Sequence, residues 1–188
     1  MNRAYQSTTG FAQEIEAMVL ARAQRGDMQA FSRIYERFGS VCFQLALRIL
    51  GQRQQAEDIV QEVFLKMIDT IGSYRGDAPF GAWLKRMTAN ACIDQLRRQR
   101  HLGEANADEL VAHTASSDPD ASSAIDVASL LARLSPRARA IVTLHELEGY
   151  THAELASLFG QSESYSKSIL ARALKRLNAR ADASRVNS

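Results

Sequence analysis

From residue 27 to about residue 101 apolar side chains recur every three or four positions, and stop signals fall at Gly51 and between Gly72 and Gly81. Phe31, Ile34, Tyr35, Phe38, Val41, Leu45 and Ile49 form one such stripe, and Ile59, Val60, Val63, Phe64 and Met67 form another. A period of 3.6 builds amphipathic helices and cannot serve a strand, whose faces alternate every second residue. With three prolines and ten glycines in 188 residues, the chain is expected to be all-α, with little or no sheet. The spacing predicts a first helix over residues 12–24 stopped at Gly26, and a second opened by the Asp27 carboxylate as N-cap. Gly51 separates the second helix from the third, and Pro79 suits the first turn of a fourth reaching about His101.

The pattern then stops. Residues 102–123 are acidic, rich in small side chains and without apolar period, which predicts a flexible linker. Order is expected to resume at Ile125, Val127, Leu130, Leu131 and Leu134. Ser135 followed by Pro136 reads as an N-cap with a first-turn proline, Thr151 with Glu154 as a capping box, Gly160 as a helix stop and Ser162 as the cap of a final helix. The expected organisation is two small helical modules, 1–101 and 124–188, joined by the linker.

A net charge of +2 conceals an uneven distribution. Arg97, Arg98, Arg100 and His101 close one segment, acidic residues dominate the next, and Lys167, Arg172, Lys175, Arg176 and Arg180 crowd the last helix. Cys42 and Cys92 lack the paired spacing of a zinc ligand set and read as reduced, half-buried thiols. The polar start carries no signal-peptide core, and no segment approaches the ~20 apolar residues of a membrane span. A cytoplasmic protein without membrane insertion, metal or other cofactor is expected.

The segment LEGYTHAELASLFGQSESYSKSILARALKRL has the order of a helix-turn-helix: a short capped helix, a tight turn at Gly160 and a longer basic helix. Leu155, Ala156, Leu158 and Phe159 are expected to face Leu170, Leu174 and Leu177. That leaves Ser164, Lys167, Ser168, Arg172 and Lys175 on a polar face able to enter a major groove. A solvated face of an ordinary bundle is the plainer alternative.

Two features of the first module bear on which kind of protein would carry such a helix-turn-helix. Gln54, Asp58, Gln61 and Glu62 share one face of the third helix, an acidic and amide-bearing surface that DNA would repel and a basic protein partner would accept. Tyr74, Phe80 and Trp83 precede Arg86, Asn90, Arg97 and Arg100 at roughly helical spacing. Aromatic faces can stack an unpaired base, an asparagine can bond its edge and arginines can hold phosphates. Phe80 and Trp83 also share a face with Met87 and Ala91, which favours a place in the core for both.

AEDIVQEVFLKM, SYRGDAPFGAWLKRMTANACIDQLRR and LSPRARAIVTLHELEGYTHAELASLFGQS resemble the extracytoplasmic-function sigma factors of the sigma-70 family, and the resemblance covers nearly the whole chain. It implies a sigma-2 module and a sigma-4 module, and a protein that directs core RNA polymerase to promoter DNA without catalysing anything itself. Asp58, Gln61 and Glu62 would dock on the beta-prime clamp helices. The loop Arg75 to Gly81, including Asp77, would capture a flipped -10 base together with Tyr74 and Asn90, with Arg86, Arg97 and Arg100 on the adjoining DNA. Sigma-4 would read the -35 element and touch the beta flap, and an anti-sigma factor is a further partner the resemblance leaves open. Two positions depart from the family pattern. Gln55 stands where relatives commonly carry an acidic residue, and Ser166, Lys167, Ser168 and Ile169 replace a Val-Lys-Ser-Arg run.

Two other readings remain in view. His145, Glu146, His152 and Glu154 lie close together in sequence, as in a metal enzyme, although their spacing matches no zinc signature. A stand-alone helix-turn-helix regulator would bind an operator without polymerase.

Overall fold

The structure, a computed structural model, describes residues 10–101 and 127–186. Among the described residues the chain is all-α, with eight α-helices and no strand. Its described residues divide into two compact units, one drawn from residues 10–47 and 52–92, the other from residues 48–51, 93–101 and 127–186. The linker expected over 102–123 lies outside the described residues.

The first unit is built on α1 (Ala17–Ala23), α2 (Met28–Leu50), α3 (Arg53–Thr70) and the start of α4 (Phe80–His101). Asp27 opens α2 as expected, its carboxylate accepting from the backbone N–H groups of Gln29 and Ala30 at 2.9 and 3.4 Å. The stripe then buries Ala30, Phe31, Ile34, Phe38, Cys42 and Leu45 along α2. Ala56, Ile59, Val60, Val63, Phe64 and Met67 face inward from α3, and Phe80, Leu84, Met87, Ala91 and Cys92 from α4. A fully buried Phe or Leu stabilises by about 1.5–3 kcal/mol relative to exposure, so these helices are held by the apolar face they share.

Two expectations need correction here. The first helix begins at Ala17, not near residue 12. Gly81 lies against the carbonyl of Phe11, where any Cβ would collide with it. The segment ahead of α1 therefore crosses the start of α4, and Glu16 is still extended (φ −61°, ψ 133°). A tertiary contact has overruled local helix propensity. Cys42 and Cys92 are free thiols, but they are fully buried, not half-buried. Burial pushes the Cys42 thiol up to about 11 and raises Cys92 further, so both are inert packing residues.

In the second unit Ser135 caps α6 (Pro136–Val142), its hydroxyl accepting from Ala138 N–H with Pro136 in the first turn. A wider π-helical turn, Thr143–Leu147, follows. The Thr151–Glu154 capping box opens α7 (His152–Phe159) with both reciprocal bonds present. Gly160 ends α7 at φ 62° and ψ 39°, a left-handed conformation that glycine adopts without strain. The Ser162 hydroxyl accepts from Tyr165 N–H at 3.3 Å, and α8 runs Glu163–Val186. α6 and α7 both pack on α8, with Leu155, Leu170 and Ala173 buried and Leu158, Phe159, Leu174 and Leu177 half-buried. Short α5 (Val127–Ala132) contributes Leu131.

Candidate polymerase and nucleic-acid interfaces

α3 presents its polar face as the sequence spacing requires. Asp58, Gln61 and Glu62 are all exposed, opposite the buried row from Ala56 to Met67. At the amino end, Arg53 Nε meets Glu57 Oε1 at 2.9 Å and the Arg53 guanidinium lies 5.5 Å over the Phe43 ring. Gln55 donates to Gln52 Oε1 at 2.7 Å, so the uncharged residue that departs from the family pattern is tied back along its own helix. Sequence reasoning missed the apolar part of this surface: Leu65 is 65% exposed and Ile68 38%. Leu65 stands four residues after Gln61 and three after Glu62, on the same side of the helix. An apolar residue outside the buried stripe was the available signal.

The second group of candidates surrounds the turn between α3 and α4. A 3-10 turn over Ile71–Ser73 leads to Tyr74, whose hydroxyl donates to Ala78 O at 2.7 Å. Its ring packs edge-on against Phe80 with centroids 5.4 Å apart and lies 5.5 Å from Trp83. Phe80 is buried and contacts Phe38, whereas Tyr74 and Trp83 are half-buried. Phe80 is therefore core, and Tyr74 and Trp83 form the accessible rim of the aromatic cluster. Arg75 and Asp77 are exposed in the loop, and Arg86, Asn90 and Arg97 are exposed along α4. Arg97 pairs with Asp94 at 3.1 Å. Arg100 lies in α4, but its side chain is outside the described residues.

On α8 the five candidates Ser164, Lys167, Ser168, Arg172 and Lys175 are all exposed. The helix partly organises them itself: Lys167 Nζ meets Glu163 Oε2 at 3.0 Å, and Arg172 Nε donates to Ser168 O at 3.3 Å. Ile169 is half-buried at the edge of this face. Ser166 is buried and donates to Glu163 O at 2.9 Å, so its oxygen accepts from His152 Nδ1, also at 2.9 Å. From α6, Arg137 donates to the Tyr165 hydroxyl at 3.0 Å. His152 and Arg137 thus reach the amino-terminal turns of α8 from two different helices, and neither was foreseen.

The cluster that suggested a metal enzyme is otherwise engaged. The turn brings His145 and His152 together as stacked rings 4.5 Å apart, face to face. His145 Nδ1 meets Glu146 at 3.0 Å, and Glu154 is taken up by the capping box. Desolvation, helped by the neighbouring His145 and Lys167 charges, holds His152 below the ordinary histidine range. Among the described residues no group of three His, Cys, Asp or Glu side chains could hold a metal ion, and no helix is long and apolar enough to cross a membrane.

Comparison with known proteins matches both units. The Sigma-70 region 2 family model fits residues 34–102, and the Sigma-70, region 4 model fits residues 125–177. The ECF RNA polymerase sigma factor SigM of Mycobacterium tuberculosis is 33% identical over 162 residues, spanning 86% of this chain and 82% of its own length. The RNA polymerase sigma factor CarQ of Myxococcus xanthus is 32% identical over 146 residues, 76% of this chain and 84% of its own. CnrH, solved in complex with the cytosolic domain of CnrY, superposes with a TM-score of 0.52 at 26% identity over 88% of this chain and 96% of that one.

Proposed function

Since the chain belongs to the extracytoplasmic-function sigma factors of the sigma-70 family and is an alternative RNA polymerase sigma factor, we propose that its two functions are divided between the two faces just described. Residues 1–101 dock core polymerase and engage the -10 element, residues 124–188 read the -35 element, and residues 102–123 connect them. The observation that carries this reading is the contrast between α3 and α8. One chain exposes an acidic, amide-bearing face with Leu65 beside it, and a separate face of small residues and cations.

The α3 face suits basic helices of a protein. Asp58, Gln61 and Glu62 dock on the beta-prime clamp helices, with Leu65 adding an apolar contact beside them. At the promoter, Tyr74 and Trp83 offer partly exposed rings beside Asn90, which supports capture of an unstacked -10 base. Arg75, Asp77 and Arg86 contact the melted strand, and Arg97 and Arg100 are assigned to the adjoining DNA. On α8, Lys167, Ser168 and Ser164 face base edges of the -35 element, while Arg172 and Lys175 hold phosphates. The protein acts in the cytoplasm by binding, and the bond-making chemistry belongs to the polymerase. The beta flap is its further contact on core. A protein partner is supported by the complex of CnrH with the cytosolic domain of CnrY, and one that holds this chain inactive would be an anti-sigma factor.

The partner requirement tests the assignment. Purified chain mixed with core polymerase should comigrate with it, and should give no sequence-specific footprint on duplex DNA alone. Tight operator binding without polymerase would favour the stand-alone regulator.

A further inference from the structure

The end of α1 is tied to the start of α2 by a short ion pair. Arg22 Nε meets Asp27 Oδ2 at 2.6 Å, and Asp27 N–H donates to Arg22 O at 3.2 Å. The other Asp27 oxygen caps α2, and the Arg22 guanidinium holds the Asp27 carboxyl below its usual range. The turn is therefore a fixed platform. From it, the C-cap residue Gln24 extends its amide across the unit to the segment after α3, where Nε2 donates to Ile71 O at 3.2 Å and to Tyr74 O at 3.0 Å.

A primary amide carries two N–H donors on one nitrogen, which suits two carbonyl oxygens lying close together. Tyr74 O stands past the end of the helical ladder, where carbonyls lack intrahelical partners, and Ile71 O has a second lone pair beside the one its own turn uses. Ile71 is buried and itself accepts from Tyr74 N–H at 3.1 Å. Beyond it, Arg75, Gly76, Asp77, Ala78 and Pro79 are all exposed. Tyr74 is thus held twice, by Gln24 at its backbone carbonyl and by Ala78 at its hydroxyl. Its ring is thereby presented at the rim of the aromatic cluster.

We infer that Gln24 is a positioning residue for base capture: its amide fixes the entry to the Tyr74 loop, so that the Tyr74 ring and the exposed residues after it are in place before the -10 strand arrives. Conformational freedom already given up in the free protein need not be lost again on binding. The inference rests on the assignment of the Tyr74 loop to the -10 element. Gln24 itself is exposed, so replacing it removes the bonds without opening the core.

The test uses holoenzyme assembled from the full chain and a fluorescent single-stranded oligonucleotide carrying the -10 sequence that the parent selects from a randomised pool. Gln24→Met keeps the volume and removes the donor, whereas Gln24→Lys keeps a donor. Gln24→Met is expected to weaken oligonucleotide binding about 2- to 10-fold, the range for one or two solvent-accessible hydrogen bonds, with core affinity and melting temperature unchanged. Gln24→Lys should retain most of the parent affinity. In a Tyr74→Ala background Gln24→Met should cost nothing further, because it acts through that residue. If Gln24→Met binds as the parent does while Tyr74→Ala loses affinity, the positioning role is overturned and the loop assignment stands. If both bind as the parent does, the loop assignment falls and the inference with it. A loss that adds fully to that of Tyr74→Ala, or that follows a fall in melting temperature, would show a general structural effect and overturn positioning.

Discussion

His152 Nδ1 donates to the buried hydroxyl of Ser166 at 2.9 Å, joining the first turn of α7 to the first turns of α8. The groups around the ring are of both signs: His145 stacked on it, Lys167 on α8, and the Glu163 and Glu146 carboxylates. Desolvation is the largest influence and holds its pKa below the ordinary value of 6.5. A folded state that resists protonation binds fewer protons than the unfolded chain, so stability is complete above the unfolded pKa and falls as pH drops below about 6.5. Melting temperatures from pH 8 to pH 5 should therefore decline more steeply for the parent than for His152→Gln, and parallel curves would contradict this. At fixed neutral pH, Ser166→Ala leaves the imidazole without its partner and should cost about 1–2 kcal/mol by denaturant melts.

Docking on core should depend on charge and on Leu65 together. Asp58→Lys with Glu62→Lys reverses the α3 face and is expected to weaken core binding by about 2–5 kcal/mol if the contacts are well buried. Leu65→Ser, at a site 65% exposed, should leave the melting temperature within about 0.5 kcal/mol equivalent and still lower core affinity, measured by anisotropy of labelled protein titrated with core. Unchanged affinity in both variants, with helicity intact by circular dichroism, would move the docking surface elsewhere.

Much of this was legible from sequence because the signals were local. Asp27, Ser135 with Pro136, Thr151 with Glu154, and Gly160 each act within about four residues, and all four do what their spacing indicates. The stripes on α2 and α3 likewise identify their own buried faces. Relations between distant residues were not legible. Nothing near Gln24 announces carbonyl partners at Ile71 and Tyr74, and nothing near residue 12 announces that Phe11 must cross Gly81 and delay the start of α1. Nor could sequence order show that His145 and His152 stack on each other, since that depends on how the chain turns between them. Leu65 was overlooked because a period count identifies what is buried and passes over an apolar residue left outside.

Opening of the promoter should separate from binding to core. Asn90 is exposed on α4, one turn beyond Arg86 and on the same side. Asn90→Ala should therefore leave core affinity intact while slowing opening on duplex promoters and relaxing discrimination at one -10 position, as read by permanganate footprints across -10 variants. Normal opening on every variant would remove Asn90 from the site.

The recognition helix should divide into phosphate and base contacts. Lys175→Ala is expected to weaken all -35 sequences alike and to lower the salt slope by about one unit, whereas Lys167→Ala should cost about 1–3 kcal/mol at one base pair. Ile169 is half-buried at the edge of this face, so Ile169→Arg should fold normally and shift the preferred -35 sequence towards guanine. Identical preferences in a randomised pool would show that residue 169 does not face DNA.

The division of labour between the two faces is tested most directly by reconstituted transcription. Core polymerase with the purified chain should give a defined run-off transcript from promoters selected with that holoenzyme. The transcript should be lost when either the -35 or the -10 element is scrambled, and lost again when Asp58 and Glu62 are both reversed to lysine. A transcript that survives reversal of the α3 face, or that needs only one of the two elements, would contradict the account.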